Sequence, residues 1–356
     1  MFWKRWFNTR ARASGNPSGV GATAIAEAPP RTTETAVATP ARPASRRDEG
    51  WFTRSELAAI RHVRDEKQVA QVISRKIPGA SREEVLFRYY FSRAVYLGDF
   101  ELPPLPQSTT QILQLARDTR AEISDYVKVI SQDPSLLRAI IDTANSPFFA
   151  SLSGAATLEQ AVVRIGLRQV EQITMLHAMR SKVFRVGGFE TLIRTMVQHA
   201  LTVAVAGQTV APKALSLPAD AFLAGMFHDI GKLVLTKIVG DVQLRLSWKA
   251  PPTLLASCFE TYHVSFGEIV CRHWDFPEQI SEAVGSHHDP QRASEQPLDR
   301  TLYVANLLSH SVADDELAQA LITDPVVLSA GLDEKDLAQA RDALAKELAA
   351  YDVLAR

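Results

Sequence analysis

From Trp51 onward, apolar residues recur every three or four positions almost without interruption, and alternating β-branched runs are scarce. A period near 3.6 buries one stripe of each helix, whereas a half-buried strand needs a period of two, so the pattern commits the chain to an all-α fold. Prolines and turn residues divide it into elements. Ser55 to Lys76 and Arg82 to Tyr96 read as two helices split by Pro78-Gly79, and Leu102-Pro-Pro-Leu-Pro106 must run extended because its prolines forbid a helix. Asp133 with Pro134, Pro218 with Asp220, and Pro277 each mark a helix start.

The first fifty residues differ in kind. Between Ala11 and Gly50, 27 of 40 residues are Ala, Gly, Pro, Ser or Thr, which offers too little apolar surface to offset the entropy of ordering, and a disordered tail is expected. Ahead of it, Met1-Phe-Trp-Lys-Arg-Trp-Phe7 sets aromatic rings against basic residues, so residues 1–10 are a candidate for weak membrane contact or for a partner groove. Apolar runs such as Ala221 to Phe227 are far too short to span a bilayer, so no transmembrane segment is expected. With 39 Lys plus Arg against 40 Asp plus Glu, the net charge of −1 lacks the positive field of a direct nucleic-acid binder. Cys258 and Cys271, thirteen apart, form neither a disulfide framework nor a CxxC zinc site, and a reducing cytoplasm is the expected compartment. Near the C-terminus, Leu337, Leu344 and Tyr351 fall seven apart with Leu348 between them; docking on the chain's own core is the preferred reading of that stripe, and a homodimer seam the other.

Seven of the nine histidines lie between His199 and His310. His199 shares a helical face with Met196, Ala200 and Val203, and His263 follows Phe259 by four and precedes Phe266 by three. His287 and His288 lie three and four beyond Val284. His228-Asp229 closes an apolar helix, with Gly231 read as a turn before the next. Taken singly, each is an ordinary core histidine. Five inward imidazoles and one carboxylate spread over four helices instead suggest convergence on a metal ion, because each helix offers only one or two inward donors. His177 reads as ordinary packing, and His62, His273 and His310 as structural or exposed.

The residues resemble the HD superfamily of metal-dependent phosphohydrolases and, within it, the HDOD branch, the HD-related output domain of bacterial signalling proteins. Resemblance runs from about Leu102 to about Pro290 through Leu102-Pro-Pro-Leu-Pro106, Ile130-Ser-Gln-Asp133-Pro134-Ser-Leu136, Ala144-Asn145-Ser146-Pro-Phe-Phe149 and Leu158-Glu-Gln-Ala161-Val-Val-Arg-Ile165-Gly166-Leu167. It continues through Ala224-Gly225-Met-Phe-His228-Asp229-Ile-Gly231-Lys232, Glu260 to His263, Trp274-Asp-Phe-Pro277 and His287-His288. The resemblance implies an HDOD domain over 101–298 with its HD-like core at about 190–310, while composition and periodicity add a tail over 1–50, a helical extension over 51–100 and a C-terminal helical extension over 299–356.

Carried over residue by residue, the resemblance implies metal ligands at His199, His228, Asp229, His263, His287 and His288, with Lys232 near a substrate phosphate if the protein is an enzyme. Asn306 stands where the superfamily has its last aspartate, and no Gly-Tyr-Pro motif follows the His-Asp pair. An amide oxygen carries no charge to offset a second cation. These departures favour a non-catalytic signalling module that binds a protein partner or a small nucleotide-like ligand, with a vestigial or mononuclear pocket holding one iron or manganese ion or none. The alternative is a metal-dependent phosphohydrolase acting on nucleotides or cyclic dinucleotides.

Overall fold

Asp133, Thr157 and Asp289 each accept hydrogen bonds from first-turn amides of the helix that follows, and prolines occupy the first turns at Pro134, Pro218, Pro252, Pro290 and Pro297. These local signals satisfy otherwise orphaned N–H groups and set where each helix begins. The computed structural model describes residues 51–356 apart from 53–56, 58–65, 75–78, 99, 150–153, 182–183, 313–314 and 356. The aromatic segment 1–10, the Ala/Pro-rich tail and His62 lie outside the described residues.

Among the described residues every regular element is a helix. The first two are α1 (Glu66–Ser74) and α2 (Arg82–Leu97). A first bundle follows, made of α3 (Gln107–Arg117), α4 (Ile123–Ser131), α5 (Pro134–Ala144), α6 (Leu158–Ile165) and α7 (Leu167–Met179). The second bundle comprises α8 (Glu190–Val210), α9 (Pro218–Phe227), α10 (Ile230–Leu246), α11 (Pro252–His273), α12 (Glu278–Ser286), α13 (Pro290–Glu295) and α14 (Pro297–Ser311). The chain closes with α15 (Asp315–Leu321), α16 (Pro325–Ser329) and α17 (Glu334–Ala355). The extended 101–106 segment is tied to the second bundle by the Trp274 indole, which donates to the Pro103 carbonyl at 2.9 Å.

One continuous core joins the two bundles, running from Phe87 in α2 through Ile140, Ile173 and Val203 to Leu344 in α17. Leu337 and Leu344 are buried in it and Leu348 packs against it, so this part of the C-terminal stripe docks on the chain's own core, while the side chain of Tyr351 lies outside the described residues. A satellite core of Leu57, Val69, Ile73, Val85 and Tyr89 holds α1 against α2. That unit meets the main body through edge-to-face and tilted aromatic pairs, with Trp51, Phe91 and Tyr96 each within 6.0 Å of the Tyr262 ring.

The structure corrects the reading of Gly231, which lies inside α10 and not in a turn. A Cβ there would sit 2.1 Å from the His263 carbonyl oxygen and 2.8 Å from the Gly267 amide nitrogen, so a hydrogen at this position lets α10 and α11 cross backbone to backbone. Gly225 does the same between α9 and α8, where a Cβ would lie 2.6 Å from the Ala204 Cα. These two crossings draw the segments bearing His199, His228, Asp229 and His263 together.

Candidate metal centre

His228 caps the C-terminus of α9 and Asp229 the N-terminus of α10, a junction that aims two adjacent side chains at one spot. His199 comes from α8, His263 from α11, and His287 with His288 from the end of α12. All six converge. Three of the imidazoles are oriented from behind: the Nδ1–H groups of His228, His263 and His287 donate to the carbonyls of Gly225, Phe259 and Val284 at 2.8, 2.6 and 2.7 Å. A carbonyl can only accept, which fixes the tautomer and turns each Nε2 lone pair inward.

The donors fall into two groups, His199 with His228 and Asp229, and His263 with His287 and His288, each with its ligand atoms within 4.8 Å of one another. Asp229 stands between them. Its Oδ2 lies 3.4 Å from His228 Nε2 and 3.7 Å from His199 Nε2, while its Oδ1 lies 3.6 Å from His263 Nε2 and 3.7 Å from His287 Nε2. The Nε2 atoms of His199 and His228 are 3.2 Å apart, and those of His263 and His288 3.1 Å. Nitrogens bound to one divalent ion at about 2.0–2.1 Å and roughly right to tetrahedral angles are separated by about 2.9–3.4 Å. Asp229 Oδ1 and His287 Nε2 are buried with no hydrogen-bond partner, an arrangement that is costly unless a cation takes up the lone pairs. By donor type, spacing and orphaned atoms, the residues fit a transition-metal ion.

The electrostatics suit neutral nitrogen ligands. Burial lowers the pKa of His199, His263 and His287 well below the usual histidine value, and neighbouring positive groups lower them further. Desolvation likewise pushes His288 and His310 down to about 4. For Asp229, burial alone would raise the carboxyl, but the Lys232 ammonium and then His228 hold it well below the carboxylate range. Lys232 donates to Asp229 Oδ2 at 2.6 Å and is itself buried. Its ammonium is directed at the central carboxylate.

Two placements differ from the sequence reading. His288 is exposed, so it sits at the rim and not within the buried stripe, although its Nε2 reaches His263. His310, read as structural or exposed, is half-buried with its ring stacked on His199 at 5.0 Å and 23°. The signal that would have found it is its spacing of four from Asn306, which puts both on one face of α14. Asn306 is buried with its Oδ1 unpartnered. His273 is exposed, and His177 lies apart from the centre with its Nε2 3.0 Å from the Ser135 hydroxyl.

A family model described as the HDOD domain matches residues 102–290. An uncharacterised protein of Treponema pallidum is 24% identical over 215 residues, which is 58% of this chain but only 42% of that protein. The chain therefore accounts for less than half the length of that relative. Among solved structures, an HDOD domain protein of unknown function from Geobacter sulfurreducens superposes with a TM-score of 0.54 at 20% identity, over 81% of this chain and 99% of that one. A Shewanella amazonensis protein with the provisional name of phosphohydrolase gives 0.54 at 21% identity, over 75% of this chain and 97% of that one. At these identities the likeness establishes the fold. Among the described residues, no helix is long and apolar enough to cross a membrane.

Proposed function

Since the chain belongs to the HDOD family, we propose that it is a signalling module that works by binding a protein partner or a small ligand, and that its histidine centre holds at most one ion and does not turn over a phosphoester. The observation that carries this reading is the charge balance at the centre. Asp229 is the single carboxylate in the two donor groups, and the Lys232 ammonium sits 2.6 Å from its Oδ2. The Asp229–Lys232 pair is formally neutral and the remaining donors are imidazoles, so no negative charge is left to offset two adjacent dications. At the position of the superfamily's last aspartate, Asn306 brings a neutral amide.

His199, His228 and Asp229, with one or more of His263, His287 and His288, would hold the ion, and the orphaned Asp229 Oδ1 and His287 Nε2 face that shared space. A divalent ion bound there supplies Lewis acidity toward a phosphoryl oxygen. Asp229 bridges the groups and fixes their separation. His228, His263 and His287 present their lone pairs through backbone-locked tautomers, and His310 packs its ring over His199. In a binding module these features make the centre a rigid keystone that joins α8, α10, α11 and α12.

One observation favours the phosphohydrolase alternative: both donor groups are present and share a bridging carboxylate. Protein reconstituted with iron or manganese and offered nucleoside monophosphates, cyclic dinucleotides and p-nitrophenyl phosphate separates the two. The binding module predicts turnover no greater than that of a His228→Ala plus Asp229→Ala variant. Turnover that vanishes in this variant, with its folding intact by circular dichroism, overturns the proposal.

A further inference from the structure

Away from the histidine centre, a pocket of about 300 Å³ opens between the end of α7, the segment that follows it and the exposed side of α8. Its floor is apolar, with Ile193, Val197 and Leu201 in successive turns of α8, all of low exposure. Its rim carries Arg180, Arg185 and Arg194. Among the described residues, no carboxylate pairs with any of these three guanidiniums. The one acid at the rim, Glu190, accepts from the Gly188 backbone N–H at 3.0 Å. Gln198, exposed at the same pocket, offers an amide donor and an amide acceptor.

Three guanidiniums around one small cavity repel each other, and the repulsion is felt: burial, and then the charges of Arg194 and Arg185, lower the pKa of Arg180. Guanidiniums bind phosphate in a bidentate fashion, an apolar floor takes a planar ring, and a primary amide reads the donor and acceptor pattern of a heterocycle edge. A volume near the low end of small-molecule sites excludes a large ligand. The chain's own aromatic N-terminal segment is basic and is repelled by such a rim.

We propose that this pocket is a second ligand site, separate from the metal centre, that takes a compact phosphorylated heterocycle of mononucleotide size. Phosphate sits between Arg180, Arg185 and Arg194, the ring lies over Val197 and Ile193, and Gln198 meets its polar edge. His199 follows Gln198 directly on α8, so occupancy of the pocket bears on the helix that carries one of the candidate metal ligands. The assignment does not depend on whether the metal centre is catalytic.

Isothermal titration calorimetry of the full chain with AMP, adenosine and inorganic phosphate tests it. The expected result is AMP binding with a Kd below about 1 mM, and adenosine and phosphate each weaker by at least about tenfold. Arg194→Met, at an exposed position, and the double variant Arg180→Met plus Arg194→Met are expected to lose at least about tenfold in AMP affinity while keeping the wild-type circular dichroism and melting curve. AMP binding that is absent, or unchanged in both variants, overturns the proposal. So does phosphate binding as tightly as AMP, which removes the ring seat. Capture by phosphatidylglycerol vesicles without AMP binding overturns it in favour of a membrane surface.

Discussion

Replacing Gly231 by alanine isolates the crossing that brings Asp229 to His263. The new Cβ would stand 2.1 Å from the His263 carbonyl oxygen, so α10 and α11 must part by about 1.3 Å to restore an ordinary 3.4 Å contact. The obstructing atoms are backbone and cannot rotate away. Overpacking of this kind costs about 3 kcal/mol at the upper end of its usual range, and the better helix propensity of alanine returns about 1 kcal/mol. The expected net loss is about 2 kcal/mol, which for a body of this size lowers Tm by roughly 3 °C. Because the displacement acts between Asp229 and His263, ion affinity should fall along with stability. Differential scanning calorimetry without metal, followed by iron or manganese titration, measures both. Gly240→Ala serves as the control: it lies on the same helix and gains the same propensity, but its Cβ would meet side-chain atoms of Val186, the nearest Cγ1 at 2.5 Å, and no backbone. A Gly231→Ala protein as stable as Gly240→Ala, with unchanged ion affinity, would refute the argument that a bare crossing builds the centre.

Lys232→Met removes the ammonium that shares Asp229 Oδ2; it should lower the melting temperature of the metal-free protein, raise affinity for a divalent ion by at least about tenfold, and be read by competition with a chelator. Asp133→Ala deletes the cap of α5 and should cost about 0.5–2 kcal/mol in urea melts near neutral pH. Burial alone would raise the Asp133 carboxyl, but the Leu136 amide and the Ser135 and Ser108 hydroxyls hold it below its ordinary value. The part of its contribution that depends on ionisation is therefore complete above about pH 4 and fades as pH falls through the lowered native value; a wild-type to variant gap that stays constant into strong acid would contradict this. Leu344→Ala should cost about 2–5 kcal/mol, since Leu344 is fully buried in the main core, with no change in oligomeric state by light scattering.

The helices were legible because a 3.6-residue apolar stripe, an Asp-Pro start and a proline run are local signals, and the structure places helices at Arg82, Pro134 and Pro218 where those signals stand. Inward phase at His199, His228, His263 and His287 was legible for the same reason. What escaped depended on contacts distant in sequence. Gly231 looked like a turn because a glycine's local meaning is conformational freedom, whereas here it answers to the His263 carbonyl 32 residues on. His310 escaped because stacking on His199 joins helices more than a hundred residues apart. The direction of Lys232 toward Asp229 is a side-chain choice that spacing alone leaves open. The arginine-rimmed pocket is assembled from Arg180, Arg185 and Arg194 across a helix end, a connection and a second helix, so no single stretch of sequence displays it.

Metal stoichiometry tests the central claim most directly. Elemental analysis of the full chain, reconstituted with iron or manganese and freed of loosely held ions, should find one ion per chain in the wild type and none in the His228→Ala plus Asp229→Ala variant. Two ions per chain would contradict the charge argument built on Asp229, Lys232 and Asn306, and an equal ion content in wild type and variant would show that the converging histidines are not a metal centre.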